Sequence, residues 1–221
     1  MIKLKNSNEK ENKLTFATDM STSLANAIRR SALEIPVMAI DEVEIIKNDS
    51  ALYDEIIAHR LGLVPIKTDK ASKEVKFRLK EVGPKIVYST DIKPSVETEL
   101  KLPIVLLDKE QELEVVCEAR LGKGIQHIKY SPGLIYFKHD LDEDVLDFIT
   151  VDNEGKVKFE EEELNSKNVP EEKIAKIKKL KNINELEFNI ESWGQLKPKD
   201  IFLRAIDALS ENLDELNKEV K

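Results

Sequence analysis

Cysteine is nearly missing from this chain: Cys117 stands alone among 221 residues. No intramolecular disulfide can form, and neither a cysteine-built zinc site nor an iron–sulfur cluster can be assembled from this chain by itself. A single thiol fits a reducing compartment. Histidine is scarce too. His59, His127 and His139 share no i, i+4 spacing and no H-E-x-x-H frame. Glycines number seven, and the closest pair, Gly122 and Gly124 in LGKGIQH, lacks the G-K-[S/T] ending and following helix of a phosphate-cradling loop; the strand-like flanks predict a sheet turn. No window approaches 18 consecutive apolar residues, so no membrane span is expected. The opening MIKLKNSNEKENKL has no apolar run of the kind a secretory leader needs, and a cytoplasmic protein is expected. Basic charge is also in deficit, with 35 Lys and Arg against 43 Asp and Glu, a net −8. Phosphate-backbone affinity comes from Lys and Arg, so direct DNA binding is not expected.

What is present is 41% apolar and 35% charged residues, enough for a real core under a heavily solvated exterior, in one large domain or two small ones. IKLK and LTFAT alternate as a hairpin. DMSTSLANAIRRSALEIP reads as a helix with Asp19, Ser21 and Thr22 as caps and Pro36 as the stop. Leu24, Ile28, Ser31 and Ile35 form one stripe, widened by Ala27 and Leu33. VMAIDEVEIIK follows as a strand whose apolar phase slips between Ile40 and Val43, predicting a bulge or a strand end. ALYDEIIAHRLGLVPI is a shorter helix ending near Gly62 and Pro65. From about 67 to 138, alternating runs broken by Gly and Pro predict antiparallel sheet. Residues 139–181 read as a charged excursion with one short amphipathic helix. NELEFNIESWG is a cleanly alternating strand. In the last helix Phe202, Ile206, Leu209, Leu213, Leu216 and Val220 step by fours and threes, a narrow heptad seam. Ile201, Ala205 and Ala208 broaden its first half only; beyond Leu209 the neighbours are Glu, Asp, Asn and Lys, so a lone chain would leave the stripe in water.

The fold class expected is α+β and two-lobed. Strand and helix from both chain ends, 1–47 and 182–221, form one lobe, and 48–181 is an inserted, mostly antiparallel β lobe. The chemistry is thin. HDLDED offers His139, Asp140, Asp142 and Asp144, and carboxylates at alternate positions can bind a hard cation. No glycine follows at the position an EF-hand requires, and a solvated acidic loop is the plainer reading. A stand-alone divalent-metal enzyme built on Asp140–Asp144 is the rival function. Cys117, in phase with Leu113, Val115 and Ala119, reads as core. KIAKIKKLK could be a basic amphipathic helix, but its acidic lead-in favours a self-neutralising solvated segment. Arg29 and Arg30 point about 100° apart. They are either solvated or a polar contact to another chain, for which Arg is suited.

Four blocks in order, NAIRRSALEIPVMAIDEVEI, NDSALYDEIIAHRLGLVPI, LGKGIQHIKYSPG and FNIESWGQLKPKDIFLRAIDALSENL, resemble the alpha-like D-subunit family of archaeal DNA-directed RNA polymerase. This family is the counterpart of the third-largest eukaryotic polymerase II subunit and of the bacterial alpha amino-terminal domain. The resemblance covers nearly the whole chain and is weakest over 139–181. It implies a non-catalytic assembly subunit that heterodimerises with subunit L and forms the platform for the large catalytic subunits, with small subunits N and P also bound. A homodimer, as in bacterial alpha, is the third reading. The implied L interface takes Leu24, Ile28, Ile35, Phe202, Ile206, Leu209, Leu213 and Leu216, and the implied large-subunit contact takes Arg29 and Arg30. The block DEIIAHRLGLVPI resembles a surface presented to other subunits. Some relatives carry a ferredoxin-like insertion with cluster-ligating cysteines; 139–181 has no cysteine here, so no cofactor is expected.

Overall fold

The computed structural model describes residues 2–8, 10–69, 74–96, 100–139, 147–152, 156–160, 164, 169–179 and 186–220. It is a mixed α+β fold. Backbone packing divides it into two compact units, 1–29 with 135–190, and 30–134 with 191–221. These boundaries fall at other points than the lobes read from the sequence.

In the first unit, β1 (Ile2–Asn8) and β2 (Lys13–Thr18) make the expected antiparallel hairpin. They extend into a four-stranded sheet of order β1-β2-β11-β8, with β8 spanning Gly133–His139 and β11 spanning Leu186–Ser192. Alternation in β11 is complete: Leu186, Phe188 and Ile190 are buried while Glu187, Asn189 and Glu191 are half-covered on the other face. Phe188 lies between two other rings, 5.4 Å from Phe16 and 6.1 Å from Phe137 by ring centroids. The opposite face is polar, with Thr15 Oγ1 donating to Asn189 Oδ1 at 2.9 Å and Lys5 pairing with Glu187 at 2.9 Å. The charged excursion also holds structure. A two-residue ladder of β9 (Thr150–Val151) and β10 (Val157–Lys158) and the helix α3 (Glu171–Lys179) accompany a small core of Leu164, Val169 and Ile177.

In the second unit, β7 (Glu112–Gly122) is the middle strand of an antiparallel sheet, between β3 (Val37–Asn48) and β4 (Val75–Val82). Leu113, Val115, Cys117 and Ala119 point into the main core. Helix α2 (Asp54–Gly62) places Ile57 and Leu61 in that core, with acidic residues in its first turn and His59 and Arg60 in its last, as the helix dipole favours. β5 (Lys85–Tyr88) and β6 (Pro103–Leu107) pair as a separate antiparallel ladder. The last helix, α4 (Pro198–Glu219), begins on Pro198, where a missing N–H costs nothing. It packs against the 3-10 turn Ala32–Glu34, and Asn212 Nδ2 donates to Glu34 Oε2 at 2.9 Å.

The outer face of β7 is charged and largely paired. Glu114 accepts from Lys80 at 2.7 Å and from Arg78, while Lys47 bonds Glu112 at 2.9 Å. The hydrogen bonds from Lys80 and then Arg78 hold the Glu114 carboxyl below its ordinary value of 4.5. A carboxylate lowered in the folded state stabilises it above the unfolded value, and that contribution is lost as pH falls through the folded one. Glu114→Gln is therefore expected to unfold at lower urea than the parent at pH 7, with the gap closing as pH drops below about 4.5. Urea midpoints of both proteins along a pH series check this.

Candidate partner interface

Helix α1 (Thr22–Ser31) starts where Ser21 Oγ accepts from the Leu24 amide at 3.3 Å. It passes into the 3-10 turn Ala32–Glu34 just before Pro36. Of the expected stripe, Ile28, Ser31 and Ile35 are buried within this chain, while Leu24 is exposed. Arg29 folds back on its own helix, its Nε and Nη2 donating to Asn26 Oδ1 at 3.1 and 2.9 Å; Arg30 is exposed.

On α4 the seam changes character along its length. Ile201, Phe202 and Ala205 are buried, Ile206 and Leu209 are half-buried, and every residue from Glu211 to Val220 is exposed. Leu213, Leu216 and Val220 are 57%, 56% and 78% accessible. Of the eight residues expected at a partner, then, Ile28, Ile35 and Phe202 are occupied by the chain's own packing. Leu24, Leu213 and Leu216 are free to meet another surface, with Ile206 and Leu209 partly so. The acidic segment 140–146 lies outside the described residues. Among those described, no group of three His, Cys, Asp or Glu is placed to hold a metal, and no helix is long and apolar enough to cross a membrane. Cys117 is fully buried, its thiol pushed up to about 12 by burial.

A second arrangement was not visible in the sequence. Asp41 sits at the register shift of β3 between Ile40 and Glu42, the phase slip expected from the residues. From there it accepts from Lys129 Nζ at 2.5 Å and from the Tyr130 hydroxyl at 2.9 Å, and pairs with Arg120 Nε at 2.7 Å. These contacts, Lys129 first, hold the Asp41 carboxyl below the usual carboxylate range. Burial and the bond to Asp41 raise the Tyr130 phenol to about 12. Three of the quoted blocks meet here: a cleft of about 190 Å³ is lined by Asp41 of β3, His59, Gly62 and Leu63 of the α2 end, and His127 and Lys129 of the turn after β7. His59 and His127 thus share a cleft despite their separation in sequence. The only advance signal was an acidic residue at a break in alternation.

The family model of the RNA polymerase Rpb3/Rpb11 dimerisation domain matches residues 6–213. The chain belongs to that family. Among its relatives, the DNA-directed RNA polymerase subunit Rpo3 of Pyrococcus horikoshii is 42% identical over 156 residues, covering 63% of this chain and 60% of that one. The chain thus spans less than two thirds of that relative's length. The Rpo3 subunit of Methanobrevibacter smithii is 31% identical across 89% of both chains. That of Methanocaldococcus jannaschii is 40% identical over 61% of this chain and 73% of its own. In this dimerisation-domain family member, α4 carries the exposed apolar stripe.

Removing the Asp41 charge should loosen the turn after β7 first. Asp41→Asn is expected to lose up to about 1.5–3 kcal/mol, the range for hydrogen bonds to a charged group, and to speed amide exchange at Ile125, whose N–H donates to the Leu33 carbonyl at 3.1 Å. Urea unfolding with hydrogen exchange reads both; an unchanged midpoint and unchanged exchange would mean that other contacts hold the turn.

Proposed function

We propose that this chain is a non-catalytic assembly subunit of DNA-directed RNA polymerase. It pairs with a smaller subunit, L, and the pair forms the platform on which the large catalytic subunits assemble, with small subunits N and P joining. The observation that carries this reading is the apolar stripe of α4 left in water beyond Leu209, in a chain that belongs to a family named for dimerisation. Burying three such side chains stabilises an interface by roughly 1.5–3 kcal/mol each before ordering costs, and a second helix along the stripe supplies that burial. The contact residues proposed on α4 are Ile206, Leu209, Leu213 and Leu216, with Val220 extending them; Leu24, in the other compact unit, is exposed and stays a separate candidate. Arg29 and Arg30 serve a large subunit; the exposure of Arg30 supports this, whereas Arg29 must exchange its bond to Asn26 for a partner.

The test is titration of the chain with subunit L. Leu213→Ser with Leu216→Ser is expected to weaken binding by at least about 2 kcal/mol, with the fold unchanged by circular dichroism; equal affinity would remove α4 from the interface. In the same system Arg29→Ala with Arg30→Ala is expected to leave L binding intact and reduce recovery of the large subunits. Undiminished recovery would return both arginines to solvent.

No metal or cluster belongs to this reading, which rests on one buried thiol and three histidines. Elemental analysis of the chelator-washed chain is expected to find well under one metal per molecule. A stoichiometric metal would instead revive the acidic segment as a site.

A further inference from the structure

Helix α4 keeps charge off more of its circumference than its own packing uses. At about 100° per residue, the seven charged residues from Arg204 to Glu219 fall within an arc of about 140°. The rest of the circumference between Ile201 and Val220 carries none. One border of this uncharged side is closed by the chain itself: Ile201 and Ala205 are buried, and Asn212 is bonded to Glu34 of the 3-10 turn. The other border is open. Leu203 is 47% accessible although it sits in the half of the helix that packs on the core, and Ser210 and Asn217 are exposed. Leu203, Ile206, Ser210, Leu213, Asn217 and Val220 step by threes and fours, so each lies beside the next in one row on the helix surface.

Next round the helix from this row come Asp207 and Asp214. Asp207 is four residues from Leu203 and three from Ser210, and Asp214 is four from Ser210 and three from Asn217, the spacings of surface neighbours. Both are exposed and make no ion pair among the described residues. Basic groups do not cancel them. From Asp207 to Glu219 the helix has five carboxylates against Lys218, with Arg204 one turn before, and the 3-10 turn packed on the helix adds Glu34. The row by itself does not tell a partner from a second copy of this chain, because two such rows can cover each other. The border does. A second copy would set its own net-acidic ridge beside Asp207 and Asp214, and like charges brought together at a contact suppress that pairing. Basic residues on a different partner turn the same two carboxylates into attraction.

We infer that Asp207 and Asp214 are partner-selecting residues: they hold the uncharged row of α4 back from a second copy and admit a subunit whose contacting surface is apolar along the row and carries Lys or Arg at its border. This rests on the assembly-subunit reading, with subunit L as the occupant, and it adds Leu203, Ser210 and Asn217 to the footprint. The test uses the full chain, alone and with purified L. Asp207→Asn with Asp214→Asn, sedimented alone at low salt, is expected to self-associate at least about tenfold more tightly than the parent. Asp207→Lys with Asp214→Lys, titrated with L, is expected to bind at least about tenfold more weakly at low salt, with the gap narrowing at high salt. Glu215→Lys, on the far side of the helix from the row, is expected to change L affinity by less than about threefold. Self-association no tighter than the parent's overturns the selection. So does an L affinity that the paired lysines leave unchanged, lower equally at both salts, or lower no more than Glu215→Lys does. Each of these outcomes leaves the assembly reading standing. If the parent itself fails to bind L at either salt, the assembly reading fails and the selection with it.

Discussion

Strand β7 carries two incompatible surfaces on one backbone. Leu113, Val115, Cys117 and Ala119 go inward and Glu112, Glu114, Glu118 and Arg120 outward, with β3 on one edge and β4 on the other. Both neighbours depend on it for their ladders, and its inward row shares one core with Ile57 and Leu61 of α2, the helix that lies against β3 and β6. Full burial of a large aliphatic side chain is worth roughly 1.5–3 kcal/mol, so that row outweighs any exposed ion pair on the opposite side, where a pair is worth about 0–1 kcal/mol. The charged face acts mainly on register: a one-residue slip would turn the glutamates inward.

How much was legible follows from the range over which each signal acts. Alternation in NELEFNIESWG and the heptad steps of α4 are local, and both the strand and the partition of the helix at Leu209 were readable from neighbours alone. The phase slip near Asp41 was readable as a break, but what the freed carboxylate holds was not, because Lys129 and Tyr130 lie 88 and 89 residues away. The α1 stripe shows the complementary limit. Periodicity identified a buried face containing Ile28 and Ile35, but it cannot distinguish burial within the chain from burial under a partner. Leu24, on the same stripe, ends up exposed. The residues expected at the interface therefore divide by what covers them, which only three-dimensional packing decides.

Two surfaces of the second unit share a physical theme. Helix α4 outlasts the core it grows from, and the turn after β7 carries exposed Ile125 and Ile128 on a hydrogen-bonded frame. In each case apolar side chains are held in water by a frame that is already ordered, so little conformational entropy remains to be lost on association. Such surfaces favour assembly from prefolded parts over coupled folding, and they leave the free chain prone to self-association.

The buried thiol of Cys117 has a practical consequence. With its acidity suppressed to about 12, the thiolate fraction at neutral pH is on the order of one in a hundred thousand, and the sulfur has no route to solvent. Maleimides and spin labels should therefore pass it by under native conditions. A cysteine introduced at an exposed site becomes the sole addressable handle without first deleting the native one. Distances and arrival times during complex formation can then be followed by fluorescence or electron paramagnetic resonance on an otherwise unaltered chain.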